Sequence, residues 1–215
     1  MTTTKPYRLT NVEILFPQPL VEFYFDDAAT LNAALLEEIA ARRTIEPGDN
    51  RSNHKGWHSA YDLFTRPEPA QAELCRRIMM TVVEATRKLA PDAVRDDIQI
   101  RYDGWINVNP EAAYNAPHHH PRAFWSGTYY VRIPKQDGFG GAIEFLAAAN
   151  ALVGDRIAKA PMTRDSVVKR PEPGTLILFP GNVRHWVHPN TSSEERVTIA
   201  FNASFAKAGS GKRPS

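Results

Sequence analysis

Residues 196–205 read RVTIAFNASF, a run in which polar and apolar side chains alternate. Successive side chains of a β-strand point to opposite faces, so Arg196, Thr198 and Asn202 share one face and the other face is apolar. If the apolar face packs under helices, the polar face points into the protein, where a guanidinium is costly without an anion. A guanidinium suits a two-pronged contact with a carboxylate. The segment therefore predicts a strand whose inner face binds a carboxylate, with an exposed strand-end arginine as the alternative.

Strand-like runs dominate the C-terminal half of the chain, each bounded by Gly, Pro, Asn or Asp. They cover residues 98–108, 124–133, 142–145, 167–168, 175–179, 184–188 and 196–205. A short helical pattern at 147–157 interrupts them. Before them come short apolar pieces at 12–16 and 20–25, a polar loop at 46–53 and two helices. The first helix is capped by Asp26 or Asp27, and the second covers 69–89 and ends before Pro91.

This order of elements predicts a mainly β protein with flanking helices. Helices followed by many short strands favour an antiparallel sandwich or barrel with the helices packed on one sheet. We expect a single domain over residues 1–215, with a helix-rich part at 1–97, a β core at 98–205 and a flexible tail at 206–215.

The composition excludes several classes of protein. The chain is 42% hydrophobic with a formal charge of +2, and its basic residues are scattered, so we expect no nucleic-acid partner. The lone Cys75 excludes an intrachain disulfide and a thiolate metal cluster. The N-terminal residues lack a secretory signal and no apolar run reaches membrane-span length, which predicts a soluble, cytoplasmic protein with no membrane partner.

Histidines cluster in the strand-rich half, at positions 118, 119, 120, 185 and 188. On a strand, His118 and His120 would point to the same side while His119 faces away. His185 follows the strand and turn LILFPGNVRH, which could return to the same place. The three would form a metal site. The alternatives are a surface turn at PHHHP and a core histidine at position 185.

Several motifs in order resemble the 2-oxoglutarate/Fe(II)-dependent oxygenase superfamily, and more narrowly a bacterial and phage family of such oxygenases. They are Trp105 with Asn107, His118 to Pro121 (HHHP), Ser126 to Tyr130 (SGTYY), Phe179 to Val187 (FPGNVRHWV) and Arg196 to Asn202, and LFPQP at 15–19 and Gly56-Trp57 are also similar.

The resemblance implies a double-stranded β-helix, or jelly roll, with Fe(II) held by His118, His120 and His185. It implies 2-oxoglutarate as cosubstrate, with its distal carboxylate at Arg196 and contacts from Tyr130, Thr198 and Asn107. The expected reaction is hydroxylation of an unactivated C–H bond of a small molecule or peptide by O₂, releasing succinate and CO₂. The sequence leaves open a homodimer.

One departure concerns the third iron ligand. The superfamily usually has a carboxylate where this chain has His120, so a carboxylate elsewhere, such as Glu144 or Asp103, could complete the set. Two other functions stay open at this point: a three-histidine, cupin-type dioxygenase without 2-oxoglutarate, and a non-catalytic metal-binding module.

The candidate substrate-binding residues are two tryptophans and a histidine. Trp105 shares a strand face with Asn107 and is expected to line the cavity. Trp57 and His58 lie in a polar stretch, where they would either cover a pocket or pack against a helix end. Trp125 and Trp186 alternate away from the metal ligands and are expected in the core.

Overall fold

The computed structural model describes residues 18–49, 52–147 and 164–209. Its helices are α1 (Ala28–Arg43) and α2 (Pro69–Leu89), with short 3₁₀ turns at Leu63–Thr65 and Pro91–Ala93. Its strands are β1 (Val21–Tyr24), β2 (Asn53–His54), β3 (Trp57–His58), β4 (Ile98–Asn109), β5 (Tyr114–His118), β6 (Trp125–Arg132), β7 (Ile143–Leu146), β8 (Ser166–Lys169), β9 (Thr175–Pro180), β10 (His185–Val187) and β11 (Arg196–Lys207).

The strands form two antiparallel sheets. One has the order β1-β9-β6-β11-β4-β3 and the other β2-β5-β10-β7-β8. From β4 to β11 the chain passes between the sheets at every connection except β7 to β8, which are neighbours in the smaller sheet. This topology is the double-stranded β-helix, and it confirms the predicted fold class.

The longest ladder joins β4 to β11, from Arg196 opposite Asn109 to Lys207 opposite Ile98. Alternate residues of β11 face the space between the sheets, and the others are apolar and buried, as at Ile199 and Phe201. The alternation read from the sequence therefore gives the correct inner face of this strand.

Both helices pack on the outside of the six-stranded sheet. Leu35 of α1 and Leu74 of α2 are fully buried in the same apolar cluster as Ile199 and Phe201. Thr86 Oγ1 of α2 accepts a hydrogen bond of 2.9 Å from Nε1 of Trp125, which joins the helix to β6. Of the described helices, neither has the length and apolar character of a membrane span.

The N-terminal part differs from the sequence prediction in two ways. Its described residues contribute three strands, since β1 pairs with β9, β2 with β5 and β3 with β4. The prediction of a polar loop around Trp57 and His58 was therefore wrong, since these residues form β3 at the edge of the larger sheet. Asp27 stands at the N-cap of α1 without a side-chain cap, because its carboxylate binds Arg77 at 2.7 Å.

Strand β5 was not expected from the strand pattern, because Asn115 and Pro117 interrupt any apolar run there. The structure forms it through pairing with β10 and β2. The predicted strand at 12–16, most of the LFPQP motif, all but the first residue of the predicted helix at 147–157 and most of the tail lie outside the described residues.

Candidate active site

Three histidines meet at one end of the space between the sheets. His118 ends β5, His185 begins β10, and the two are partners in the ladder between these strands. His120 lies in the turn two residues beyond His118, rather than on the strand as the spacing suggested. One ligand atom from each of the three lies within 4.8 Å of the others. His119, in contrast, is exposed.

Backbone carbonyl groups orient two of the rings. Nδ1 of His118 lies 2.7 Å from the Ala116 oxygen, and Nδ1 of His185 lies 3.0 Å from the Val183 oxygen. A carbonyl oxygen only accepts hydrogen bonds, so each Nδ1 carries the proton and each Nε2 keeps its lone pair. Protein-bound metals commonly have ligand histidines fixed in this way.

Burial keeps the three imidazoles neutral. It lowers the pKa of His118, that of His120 to about 4 and that of His185 to about 3, and the mutual proximity of the rings contributes to these shifts. Neutral imidazole is the form that binds a metal. At neutral pH the cluster therefore offers three nitrogen lone pairs without a competing proton.

Glu144 does not belong to this cluster. Its Oε2 accepts hydrogen bonds from Nε1 of Trp186 and Nε2 of His188, both at 2.9 Å, while its neighbour Ile143 lines the cavity beside the histidines. Glu144 thus faces away from the three rings, and His120 is the third member of the cluster in this structure. Trp186 is half-buried on that outer face, whereas Trp125 is in the core as predicted.

The same cavity holds a buried cation. Arg196, the first residue of β11, is 2% exposed. Its Nη1 donates to Thr198 Oγ1 at 3.3 Å, and its Cζ lies 5.5 Å from the centre of the Tyr130 ring. Three buried polar atoms at this end have no hydrogen-bond partner in the described part of the chain: Arg196 Nε, Tyr130 Oη and Asn107 Oδ1.

The acidic residues before Arg196 bind elsewhere. Glu195 forms a two-pronged contact with Arg43, at 2.9 and 3.0 Å, and also accepts a hydrogen bond from Arg132. Glu194 is exposed at the turn. Within the described residues no carboxylate forms an ion pair with Arg196. Burial therefore lowers the pKa of Arg196, a shift that Tyr130 opposes only in part, and burial raises the pKa of Tyr130.

The predicted substrate residues separate into two groups. Trp105 lines the cavity, 5.8 Å from His120 between ring centres. Trp57 packs against the core between the helices and the sheet, and its Nε1 donates a hydrogen bond to the backbone carbonyl of Glu46. Trp57 therefore has a packing role and does not cover the pocket. His58 is buried behind Trp105, with the two rings stacked 5.6 Å apart. His58 thus supports Trp105 instead of lining the cavity.

Some cavity residues were not anticipated from the sequence. Asn115 and Ser126 line the space around the histidines, and Asp103 with Asn202 lies just beyond it. Asn202 shares the inner face of β11 with Arg196, which was a usable signal. The contact of Asp103 with Asn202 could have been found only by pairing β4 with β11 in the correct register.

A comparison with protein families identifies the class of this site. Residues 103–202, from Asp103 of β4 to Asn202 of β11, match the family described as "Putative 2OG-Fe(II) oxygenase", where 2OG is 2-oxoglutarate. The match spans all three histidines, Tyr130 and Arg196. The matched segment is that of a 2OG-Fe(II) oxygenase. Its cofactor is Fe(II) and its cosubstrate 2-oxoglutarate, as the resemblance implied.

Solved structures of other proteins share the fold of this chain. A prolyl-4-hydroxylase from Pseudomonas putida is 14% identical with a TM-score of 0.62, over 87% of this chain and 92% of its own. A prolyl hydroxylase from Trichoplax adhaerens, in complex with a hypoxia inducible factor peptide, is 9% identical with a TM-score of 0.60, over 86% and 83%. A viral collagen prolyl hydroxylase from Paramecium Bursaria Chlorella virus-1, in a 2OG complex, is 13% identical with a TM-score of 0.53, over 86% and 94%. A search of curated proteins found no match.

Proposed function

We propose that this oxygenase binds Fe(II) through Nε2 of His118, Nε2 of His185 and a ring nitrogen of His120. Arg196, with Tyr130 and Thr198, binds the distal carboxylate of 2-oxoglutarate, and Asn107 lies beside the cosubstrate. The enzyme hydroxylates an unactivated C–H bond of a small molecule or peptide. The peptide alternative is supported by the prolyl hydroxylase from Trichoplax adhaerens, which is in complex with a peptide fragment.

The observation that carries this proposal is the unpaired state of Arg196. A buried guanidinium without an anion is strongly unfavourable, and here its Nε and the nearby Tyr130 hydroxyl both lack partners in the described structure. A carboxylate bound between them would accept hydrogen bonds from both groups. The cavity containing Arg196 also contains the three histidines, so a molecule with two separate acidic ends could reach both.

The histidine ligand set fits the iron and its cosubstrate in charge. Three neutral imidazoles leave both positive charges of Fe(II) uncompensated, and Arg196 adds a third positive charge to the cavity. A dianion such as 2-oxoglutarate would offset two of these three charges, one at the metal and one at Arg196. Three protein nitrogens would hold the ion and would leave it accessible to the cosubstrate. When bound, Fe(II) and 2-oxoglutarate supply O₂ activation and C–H oxidation, with succinate and CO₂ as products.

The chain's own residues orient and shield this chemistry. The Ala116 and Val183 carbonyl groups fix the His118 and His185 rings. Arg196 and Tyr130 set how deeply 2-oxoglutarate enters, and Ile143 and Val187 give the cavity apolar walls that limit water. The positions of these groups in the rigid sheets keep the site pre-organised.

Anaerobic spectroscopy tests the proposal. Protein with Fe(II) and 2-oxoglutarate together should develop a weak visible charge-transfer band that neither addition produces alone. Admission of air should then release succinate in proportion to the 2-oxoglutarate consumed. Absence of the band at saturating concentrations of both would contradict the proposed site.

A further inference from the structure

A groove of about 970 Å³ opens beside the metal cavity, and His120 lines both spaces. We call it the outer groove and define it by Tyr61, Phe64, Tyr102, Asp103, Arg122 and Asn202. Its walls come from the segment after β3, from the outer ends of β4 and β11, and from the turn that carries His120. The groove is therefore continuous with the metal site through one of the proposed ligands.

The inner face of β11 shows on which side of the metal this groove lies. Arg196, Thr198 and Ala200 line the metal cavity, and Asn202, next on the same face, lines the outer groove. Asn202 is also the ladder partner of Ser126, a residue of the metal cavity. Directly paired residues of antiparallel strands lie about 5 Å apart. The outer groove thus continues from the metal on the side away from Arg196, where a substrate has room.

Two hydrogen-bond acceptors, the Asp103 carboxylate and the Asn202 amide oxygen, belong to neighbouring residues that line this groove. Asn202 Nδ2 donates to Asp103 Oδ1 at 3.0 Å, between residues that are partners in the ladder of β4 and β11. This bond fixes the amide orientation, because the reverse orientation would place its oxygen against the carboxylate. Asn202 Oδ1 is then left buried and without a donor in the described structure.

The Asp103 carboxylate lacks a compensating cation. Among the described residues it accepts a hydrogen bond only from Asn202 and forms no ion pair. Burial raises its pKa, and the hydrogen bond from Asn202 opposes that shift only in part. The Arg196 site presents a positive charge and an unpaired donor, and therefore suits an anion. Asp103 and Asn202 present a negative charge and an unpaired acceptor, and therefore suit a cation that carries N–H donors.

We infer that Asp103 and Asn202 bind a positively charged nitrogen of the substrate, an ammonium or a guanidinium. This inference rests on the proposed function, because it assigns the outer groove to the molecule that is oxidised. An N–H donor there satisfies Asn202 Oδ1 and pairs with the Asp103 carboxylate at once. The aromatic side of the groove, where Phe64 and Tyr102 stack with ring centres 5.1 Å apart, suits the carbon chain of such a substrate and the cation itself.

The outer groove also contains positive charges, on Arg101 and Arg122. Both arginines take part in interactions of their own. The groove as a whole is therefore mixed in charge, and its net field does not select a cation. Recognition is local, at the two acceptors of Asp103 and Asn202.

Binding of a matched pair of probes tests this inference. The probes are 2-phenylethylammonium and its neutral counterpart 2-phenylethanol, titrated by calorimetry into the full chain with Fe(II) and 2-oxoglutarate under argon. Wild type should bind the cation at least about tenfold more tightly than the neutral probe, because one charge-assisted hydrogen bond accounts for a difference of that size. Asp103→Asn should remove this preference while keeping the fold, because the amide can still accept from Asn202. Asp96→Asn, an exposed loss of the same charge outside the groove, should retain it.

Equal affinities for the two probes in wild type, no detectable binding of either, or an undiminished preference in Asp103→Asn would each overturn the inference. The visible band of the iron and 2-oxoglutarate complex is recorded on the same samples. A missing band refutes the proposed metal site whatever the probes do. A normal band without preference for the cation refutes only the assignment of the outer groove.

Discussion

His185 lies directly opposite His118 in the ladder between β10 and β5, with ring centres 4.4 Å apart. One backbone pairing thus brings together two residues that are far apart in sequence. The ladder changes register between His185 and Val187, so an irregularity follows the histidine pair directly. The structural scaffold of the proposed iron site is therefore the start of β10 and the end of β5.

The first prediction concerns these two histidines. His118→Ala and His185→Ala should each lower Fe(II) affinity by more than the roughly 10- to 100-fold that loss of an outer-sphere partner causes. The reason is that water cannot replace an imidazole held in place by a backbone carbonyl. Anaerobic Fe(II) titration with circular dichroism as the fold check measures this. His119→Ala is the control, since its ring is exposed, and wild-type iron affinity in both ligand variants would contradict the site.

The second prediction separates the two candidates for the third ligand. His120→Ala should behave like His118→Ala, because its ring belongs to the same cluster. Glu144→Gln should leave Fe(II) affinity at the wild-type value, since Glu144 binds Trp186 and His188 on the opposite face. The same titration measures both. The reverse result, with iron lost in Glu144→Gln and kept in His120→Ala, would show that a carboxylate completes the site.

The sequence predicted most of the fold because alternation is strong where one face of a strand is buried. The inner face of β11, with Arg196 and Thr198, could be read directly from RVTIAFNASF. Strand β5 could not, because it contains Asn115 and Pro117 and exists through pairing with its neighbours. Pairing between distant segments also creates the contact of Asp103 with Asn202. The alternation of side chains along one strand does not show which residue of another strand lies opposite, so this contact could not be predicted.

The prediction for the short strand β3 was wrong for a related reason. Trp57 and His58 lie among polar residues, so local composition predicts a loop. In the structure β3 pairs with Val108 and Asn107 at the edge of the larger sheet, and the Trp57 ring packs on the core. Tertiary pairing overrides local propensity here, as it commonly does at sheet edges.

The third prediction concerns the packing of α2 on the sheet. Thr86→Val should lower the free energy of unfolding by about 1–3 kcal/mol, because it leaves the buried Trp125 N–H without an acceptor. Chemical denaturation measures the change. Thr81→Val is the matched control, since the Thr81 hydroxyl is buried but binds only the Ile78 carbonyl of its own helix. Equal losses in the two variants would contradict a specific role for the contact with Trp125.

The fourth prediction uses the unpaired hydroxyl of Tyr130. Tyr130→Phe should weaken 2-oxoglutarate binding by up to about tenfold, the value of one neutral hydrogen bond. Without 2-oxoglutarate, the same variant should be as stable as wild type or more so, because it removes a buried polar atom that has no partner in the described structure. Calorimetric titration and thermal unfolding measure the two effects. Destabilisation of the ligand-free variant with unchanged 2-oxoglutarate affinity would contradict the assigned contact.

The last prediction concerns Arg196 and decides how the cosubstrate is held. Arg196→Ala should weaken 2-oxoglutarate binding about a hundredfold, the loss of a charge-assisted contact of roughly 2–3 kcal/mol. Arg196→Lys should recover only part of it, because an ammonium cannot make a two-pronged contact. Anaerobic titration of the visible band measures both. Arg132→Ala is the control, since Arg132 lies opposite Val197 on the neighbouring strand but binds Glu195 outside the cavity. Wild-type affinity in Arg196→Ala would mean that the distal carboxylate binds elsewhere, and the buried guanidinium would then need another anion.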